Sequence, residues 1–491
     1  MTGRRKLAVA ALWRFSEVGL SEATSFVVFL ALARLVPPDA FGVVALAAVC
    51  IAFGQPILTQ GIGEALIQRP RLSSALLDTA FWSNMALGGI LAGLALLAGP
   101  LLSAITGEAR LSGALAAMTP IYLLMAAGAI FQAKLRRELN FRAIALRSVL
   151  AIAVGGATGL FLAYHGYGYY ALIGQQIMHN ATSLIVLMFA SHWKPKLRMR
   201  RAHLRHLFSF ARHTGLSSFT DFLVNRADIL VAGLFLSTHA VALYFFAKRI
   251  VFTAGLFTYY SIQQIGLPLI ARRLQRQDSH AARGETALAT LTLATLVCTP
   301  ALTALALLAD PLIAISAGSE WRPAAAALTV LAFGAAALGL RITSGQALIA
   351  DGRPDIYARL TLISAGLALA LVALGATQGL MAAAIGASAA HLITLPFALR
   401  ALAKRFALTR AKIARPLLRG LLPCLAMATA MWVAMPDPAT HTLVMRLIAP
   451  IAAGGIAWLL ATFAVFAPEL SQLLHRTAIS PSLRTEPVAD R

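Results

Sequence analysis

The chain has few charged residues, few cysteines and few acidic residues. Only 12% of its 491 residues are charged, whereas a soluble protein needs about a quarter to cover its surface. The 59% of hydrophobic residues must therefore also face lipid, which excludes the soluble classes. The three cysteines, Cys50, Cys298 and Cys424, lie in separate apolar segments without a CxxC neighbour. This placement predicts neither a disulfide framework nor a zinc site.

Sequence signatures of catalysis are also missing. The chain has no Gly-rich phosphate loop, HExxH motif or nucleophile elbow, and no paired carboxylates in a soluble loop. A membrane-bound polysaccharide polymerase or ligase needs a large noncytoplasmic loop, and the longest candidate, about residues 309–323, is short. We therefore expect no enzymatic activity, no cofactor and no metal site.

What the chain does contain is an alternation of basic loops and apolar segments. Most of its 42 Lys and Arg residues fall in every second gap between these segments, as at Lys134–Arg142, Lys194–Arg205 and Arg400–Arg419. Lys and Arg concentrate in the cytoplasmic loops of polytopic membrane proteins. The net charge of +23 is distributed over these loops, not gathered on one face. Anionic membrane lipids are thus the expected contact, and nucleic acid is not.

Fourteen apolar segments approach or exceed the roughly 20 residues that a membrane-spanning helix needs. Helices are expected because backbone groups in hydrocarbon find no water to bond. An even number of spans puts both termini on one side, and the basic loops make that side cytoplasmic. We predict an all-α integral membrane protein with about 14 transmembrane helices, at 14–36, 41–63, 80–105, 112–133, 146–165, 168–190, 212–236, 240–268, 286–309, 324–349, 357–376, 379–402, 418–435 and 443–466.

A duplicated sequence divides the first twelve segments into two halves. Residues 35–47 (LVPPDAFGVVALA) and 235–247 (FLSTHAVALYFFA) both end one helix, form a short polar turn and open the next helix. Six helices return the chain to its starting side, so the halves predict two parallel six-helix lobes around a central cavity. The predicted parts are an N-terminal lobe at 1–193, a basic amphipathic linker that forms a surface helix at 194–211, a C-terminal lobe at 212–403, a basic linker at 404–417, two further helices at 418–466 and a disordered cytoplasmic tail at 467–491.

Four short motifs, in order and spacing, resemble a known family. They are Leu32-Ala33-Arg34-Leu35-x-x-Pro38-x-x-Phe41-Gly42, Gly61-x-Gly63-x-Ala65-Leu66-Ile67-Gln68-Arg69, Leu135-x-Arg137-x-Leu139-x-Phe141-Arg142 and Asn225-x-x-Asp228-x-x-x-x-Gly233. Over roughly residues 10–405 the chain resembles the Wzx-type polysaccharide flippases, a branch of the multidrug/oligosaccharidyl-lipid/polysaccharide exporter superfamily. Two departures are Ala242, where the second turn usually has Gly, and the charges Arg14, Glu17 and Glu22 in the first helix.

The resemblance implies a function and its partners. A Wzx-type flippase exports undecaprenyl-pyrophosphate-linked oligosaccharide repeat units across the bacterial inner membrane, and the polysaccharide polymerase and export machinery are its expected partners. A drug or cation antiporter of the same superfamily is the alternative, although it should have more acids than bases in its cavity. A polysaccharide polymerase or ligase is a less favoured third reading.

Ionisable side chains inside the apolar segments point to a wet cavity. Each costs about 2.5–3.5 kcal/mol on insertion scales, so such residues face a bundle interior or a water-filled space. The first and seventh segments carry polar residues at helical spacing. The two stripes are Arg14, Glu17, Ser21 and Ser25, with Glu22 beside them, and Ser217, Asp221, Asn225 and Asp228.

The pyrophosphate implied by the resemblance suits arginine, which donates bidentately to phosphate. Candidates for this contact are Arg341, Arg226, Arg34, Lys248 and Arg249. Arg34 could instead snorkel to water, and Lys248 and Arg249 could instead pair with Asp221 or Asp228.

Four acids, Glu17, Glu22, Asp221 and Asp228, are candidates for ion coupling. Burial raises the pKa of a carboxyl group, which would let it load and release a proton. The alternative is that they neutralise nearby arginines. Amide side chains match sugar hydroxyls or join helices; they are Gln55, Gln60, Gln132, Gln175, Gln176, Asn180, Gln263 and Gln264.

Overall fold

The computed structural model describes residues 3–67, 69, 72–200, 203–204, 222–223, 226–262, 280–437 and 442–478, with side chains from residue 19 onward except 280–281 and 468–478. Within these ranges the chain is helical and contains no strand. The helices are α1 (Gly3–Leu35), α2 (Pro38–Pro56), a π-turn (Ile57–Gly61), α3 (Ile62–Ile67), α4 (Ser74–Thr106), α5 (Arg110–Met118), α6 (Pro120–Arg137), α7 (Phe141–Tyr164), α8 (Tyr169–Ser191), α9 (Ala227–Gly233), α10 (Thr238–Phe257), α11 (His280–Leu307), α12 (Ala309–Ser316), α13 (Ala324–Ala350), α14 (Pro354–Ala376), α15 (Leu380–Arg405), α16 (Arg410–Val433) and α17 (Met445–Ala478).

Twelve stretches among the described residues are long and apolar enough to cross a membrane. They coincide with twelve of the fourteen segments expected from the sequence. Of the other two, 14–36 lies almost wholly in the long helix α1, and about half of 212–236 lies outside the described residues. The total of fourteen, the cytoplasmic termini and the lobe boundaries stay predictions, as does the disordered tail, because residues 479–491 also lie outside the description.

The chain divides into two compact units. Unit 1 comprises Met1–Thr253, Ile313–Leu331 and Thr361–Ala390, and unit 2 comprises Ala254–Leu312, Ala332–Leu360 and His391–Arg491. In unit 1, α7 packs along α8 and α1, while α6 packs against α4 and α8. In unit 2, α16 packs against α11 and α17.

Large apolar side chains cover much of the outer surface. Leu97, Phe189 and Phe463 are 78%, 78% and 65% exposed. An aqueous surface would penalise so many exposed apolar groups, whereas lipid does not. This distribution agrees with a protein that crosses the membrane many times.

The first part of the predicted surface helix at 194–211 is not helical; residues 203–204 are helical, and 201–202 and 205–211 lie outside the described residues. Residues 192–200 are not helical. The Lys196 backbone N–H donates to Asp78 Oδ1 at 3.0 Å, its carbonyl accepts from Trp82 Nε1 at 3.0 Å, and the Arg200 N–H donates to Thr79 Oγ1 at 3.2 Å. These bonds to the start of α4 satisfy backbone groups that a helix would otherwise use internally.

The two copies of the duplicated sequence contact each other inside unit 1. A Cβ atom on Gly42 would lie 2.0 Å from the carbonyl oxygen of Thr238, so this contact requires glycine. Similarly, a Cβ on Gly233 would lie 2.2 Å from Leu46. Close backbone approach through small residues is a common way to join helices in membranes.

Trp321 occupies the interior beside these two copies. It is 1% exposed, its ring lies 5.1 Å from Phe41 and 4.4 Å from Phe246, and its Nε1 donates to the Ala33 carbonyl at 2.7 Å. Tryptophans of membrane proteins are enriched at the membrane–water interfaces. Trp321 departs from that expectation because its N–H finds a buried backbone acceptor, which lets the whole ring leave the interface.

Candidate functional site

Unit 1 contains a cavity of about 510 Å³, here called the cation cavity. Its walls come from α1, α2, α8 and α10, with Arg226 at the start of α9. Among the described residues its lining holds three cations, Arg226, Lys248 and Arg249, and no carboxylate. The cavity therefore has the electrostatics of an anion site.

The α10 wall follows helical spacing. Phe245, Lys248, Arg249 and Phe252 lie at positions i, i+3, i+4 and i+7, which places them on one face. The Arg249 guanidinium lies 5.9 Å from the centre of the Phe252 ring, within cation–π range. Two cations and two aromatic rings thus project together from one helix.

The two α10 cations have acidic partners, whereas Arg226 has none among the described residues. Lys248 Nζ bonds Asp228 Oδ1, and Asp228 also accepts from the Tyr244 hydroxyl at 2.8 Å. Arg249 donates to Glu22 Oε2 at 3.3 Å and to Ser25 Oγ at 3.2 Å. Arg226 is exposed to the cavity and forms no ion pair within the described part of the chain.

These contacts place two of the four acids proposed for ion coupling. Asp228 is 7% exposed and Glu22 lies on α1, and both act as counter-charges in this arrangement. Asp221 and the side chain of Glu17 lie outside the described residues. The coupling role stays a prediction for all four.

The α8 wall supplies hydrogen-bonding groups. Gln175, Gln176, His179 and Asn180 share one face of α8 and line the cation cavity. Sequence reasoning singled out the three amides but missed His179. Its spacing of four from Gln175 and three from Gln176 was the available signal.

A second cavity in unit 1, of about 540 Å³, is here called the amide cavity. Its polar lining consists of Gln55, Thr59, Gln60, Gln132, Glu64, Arg136 and Arg147. Arg147 donates to Gln132 Oε1 at 3.3 Å, and Arg136 lies 3.8 Å from Glu64 Oε1. Gln55 lines both cavities, which therefore adjoin at this side chain.

The remaining predicted cations lie elsewhere. Arg34 is exposed at the end of α1, donates to the Ile315 carbonyl at 3.1 Å and lines neither cavity. Arg341 lies in α13, in the part assigned to unit 2, and is 2% exposed. Its Nε and one terminal nitrogen are buried without a hydrogen-bond partner. Their substrate contacts stay predictions.

Unit 2 holds a charge cluster that sequence reasoning missed. Asp351, just after α13, is 4% exposed and bonds both Arg283 and Arg405. The two arginines belong to basic loops that are far apart in sequence, so only the isolated acid after an apolar segment offered a signal. The cluster joins the ends of α11, α13 and α15.

At one end of unit 1, which carries the turns 36–38, 107–109 and 234–237, further polar contacts occur. We call this the turn end. Glu108 accepts two bonds from the Arg110 guanidinium, at 2.7 and 2.8 Å, and one from Thr238 at 2.9 Å. These bonds, chiefly those from Arg110, hold the pKa of Glu108 at about 2. His239 Nδ1 lies 3.2 Å from Asp39 Oδ1.

Parts of this sequence are similar to proteins of known families. Residues 31–326, more than half of the chain, match the family model of polysaccharide biosynthesis proteins. The succinoglycan biosynthesis transport protein ExoT of Rhizobium meliloti (strain 1021) is 24% identical over 308 residues, 62% of each chain. The chain thus matches less than two thirds of that relative's length. The lipopolysaccharide biosynthesis protein WzxC of Escherichia coli (strain K12) is 21% identical over 396 residues, 80% of this chain and 79% of that one.

A solved structure supports the fold. The lipid II flippase MurJ, in an inward closed conformation, superposes with a TM-score of 0.76 at 14% identity, covering 94% of this chain and all of that chain. A structural match at 14% identity is evidence for the fold only. The family resemblance expected from the sequence motifs is confirmed, and the chain belongs to the family of polysaccharide biosynthesis proteins.

Proposed function

We propose that the chain is a lipid-linked oligosaccharide flippase. In this proposal it moves undecaprenyl-pyrophosphate-linked repeat units from the cytoplasmic to the periplasmic leaflet of the bacterial inner membrane by alternating access. The basic loops face the cytoplasm, both termini lie there, and fourteen helices form two six-helix lobes with two additional C-terminal helices. The protein catalyses no covalent chemistry, and it hands its cargo to the polysaccharide polymerase and export machinery.

The observation that carries this proposal is the cation cavity. Three cations and no described carboxylate line a space of about 510 Å³ in a membrane protein. A pyrophosphate is the anionic part of the proposed cargo, and arginine binds it through paired hydrogen bonds. Arg226 has no ion pair among the described residues and is therefore the cation best prepared to bind it.

The ExoT name includes transport, and the MurJ name includes lipid II flippase. The ExoT name supports transport in polysaccharide biosynthesis, and the MurJ match supports the fold. A drug or cation antiporter would need net negative charge in the cavity, so the cations disfavour that reading. Amides on α8 add groups that match sugar hydroxyls.

The test is complementation of the source bacterium after deletion of this gene. Arg226→Ala should reduce polymer at the cell surface about tenfold or more, because a charge-assisted hydrogen bond contributes roughly 1.5–3 kcal/mol. Arg226→Lys should restore part of it, since the charge returns without the planar fork. Arg341→Ala tests the second anion contact in the same assay.

The matched control is Arg353→Ala, an exposed arginine that lines neither cavity. Immunoblots of membranes must show equal amounts of each variant. Normal surface polymer with both Arg226→Ala and Arg341→Ala would contradict the assignment of the pyrophosphate site.

A further inference from the structure

The amide cavity is a second polar space in unit 1 whose role the cation cavity does not explain. It lies among the parts of α3, α6 and α7 that adjoin the basic loops. Under the orientation proposed above, these loops face the cytoplasm. The amide cavity therefore lies at the cytoplasmic end of unit 1, where a cargo would enter.

Two helical faces form its walls. Gln60, Gly63, Glu64 and Ile67 follow the spacing i, i+3, i+4 and i+7, and α6 repeats that spacing with residues 129, 132, 133 and 136. The first face begins in the π-turn, Ile57–Gly61, immediately after Pro56. Turns of this kind are rare and concentrate at functional sites.

The polar groups in the amide cavity suit hydroxyls better than a bare anion. Each glutamine offers one acceptor and two donors, which can bind neighbouring sugar hydroxyls. The Arg136 guanidinium is offset by Glu64 at 3.8 Å, and Arg147 donates to the carbonyl oxygen of Gln132. The charged groups here are of both signs, in contrast to the cation cavity, where Arg226, Lys248 and Arg249 stand beside amides and His179 with no carboxylate among the described lining residues.

The two cavities adjoin at Gln55. One molecule can therefore occupy both, with its anionic part beside Arg226 and its hydroxyl-rich part beside Gln60 and Gln132. A glycan joined to a pyrophosphate has this division of chemistry.

We propose that the amide cavity is the glycan-binding subsite, which reads the hydroxyl groups of the sugar next to the pyrophosphate. This inference rests on the proposed flippase function. It adds a location and a ligand class: a neutral or weakly charged sugar, bound by amides and guanidinium groups on α6, α7 and the π-turn.

The experiment measures binding to the purified full chain by native mass spectrometry with two probes. One is undecaprenyl pyrophosphate without sugar. The other is the lipid-linked oligosaccharide fraction extracted from the source bacterium lacking this gene. Gln60→Leu and Gln132→Leu keep side-chain volume and remove the amide. Gln378→Leu, at an exposed turn outside both cavities, is the matched control.

We expect the unaltered chain to bind the oligosaccharide fraction more tightly than the bare pyrophosphate lipid. Each cavity variant should lose about tenfold affinity for the oligosaccharide fraction and keep its affinity for the bare lipid, which also shows that it is folded. The control should match the unaltered chain with both probes.

Other results separate the two proposals. If the cavity variants bind the oligosaccharide fraction as tightly as the unaltered chain, the glycan subsite is refuted and the flippase proposal stands. The glycan subsite is also refuted, and the flippase proposal also stands, if the unaltered chain binds the sugar-bearing lipid no more tightly than the bare lipid. If the unaltered chain binds neither probe, the flippase proposal itself fails, and the subsite fails with it.

Discussion

The two ends of unit 1 are built in opposite ways. At the turn end, the duplicated sequences touch through Gly42 and Thr238, and Trp321 fills the interior beside them. At the other end, which carries the basic loops, the helices separate around the amide cavity of about 540 Å³. One end is sealed by close backbone contact and aromatic packing, whereas the other is open and polar.

This difference assigns ligand binding to the open end and conformational change to the sealed end under the proposed function. Opening the sealed end would break the Thr238–Glu108 hydrogen bond and the His239–Asp39 contact in addition to the glycine contact. Under the proposed function, the open polar end can bind the cargo before the sealed end opens. In the proposed alternating exporter the turn end must open and close, so it is the place where substitutions should have the largest effects.

Gly42→Ala should have the largest effect of those considered. Its added methyl would lie 2.0 Å from the Thr238 carbonyl oxygen, so the turn end cannot close as observed. We expect a loss of about 3 kcal/mol in the free energy of unfolding, at the upper end of the cost of overpacking. Thermal unfolding of the purified protein in detergent measures it.

Gly89→Ala is the matched control, because nothing lies within 4 Å of a methyl at that position on α4. Its stability should stay within about 1 kcal/mol of the unaltered chain, which is the size of a helix-propensity change. Equal stability of the two alanine variants would break the comparison between the sealed and the open end.

Trp321→Phe should have an intermediate effect. It removes the hydrogen bond to the Ala33 carbonyl and part of the ring packing against Phe41 and Phe246. We expect a loss of about 1–2 kcal/mol in unfolding free energy. Trp432→Phe, at a position 73% exposed, should change it little. A loss as large at Trp432 would show that ring size alone matters.

The smallest effect concerns pH at the turn end. The Arg110 and Thr238 bonds lower the pKa of Glu108 from 4.5 to about 2. A carboxylate with a lowered pKa stabilises the folded state above its unfolded pKa and loses that contribution as pH falls through its folded pKa. The difference in unfolding temperature between the unaltered chain and Glu108→Gln should therefore be constant above pH 5 and shrink between about pH 4.5 and 2. If the difference in unfolding temperature stays unchanged across that window, the Glu108 carboxylate does not stabilise the sealed end.

The sequence predicted the class and the spans well, because hydropathy and basic loops report directly on lipid and topology. Twelve expected spans coincide with described helices, and the duplication marked the segments that meet at Gly42. The family resemblance, with the charges inside apolar segments, put Arg226, Lys248 and Arg249 among the candidates for the pyrophosphate contact, and all three line the cation cavity.

Other features depend on distances that no local pattern reveals. Residues 194–200 were expected to be helical, but side chains of α4, 114 or more residues earlier, bond their backbone. The burial of Trp321 depends on a carbonyl acceptor 288 residues away. The lining role of Arg136 was hidden because a basic residue at a helix end looks like any other loop cation.

The π-turn at Ile57–Gly61 has one more consequence. Successive residues of an α-helix are about 100° apart around its axis. The i→i+5 bonds of the π-turn accommodate one residue more than an α-helical turn, whereas a residue added or removed within α3 would swing Ile67 by about that angle off the face that lines the amide cavity. Under the proposed glycan subsite, chain length in this stretch, and not only side-chain identity, determines which groups a sugar would meet.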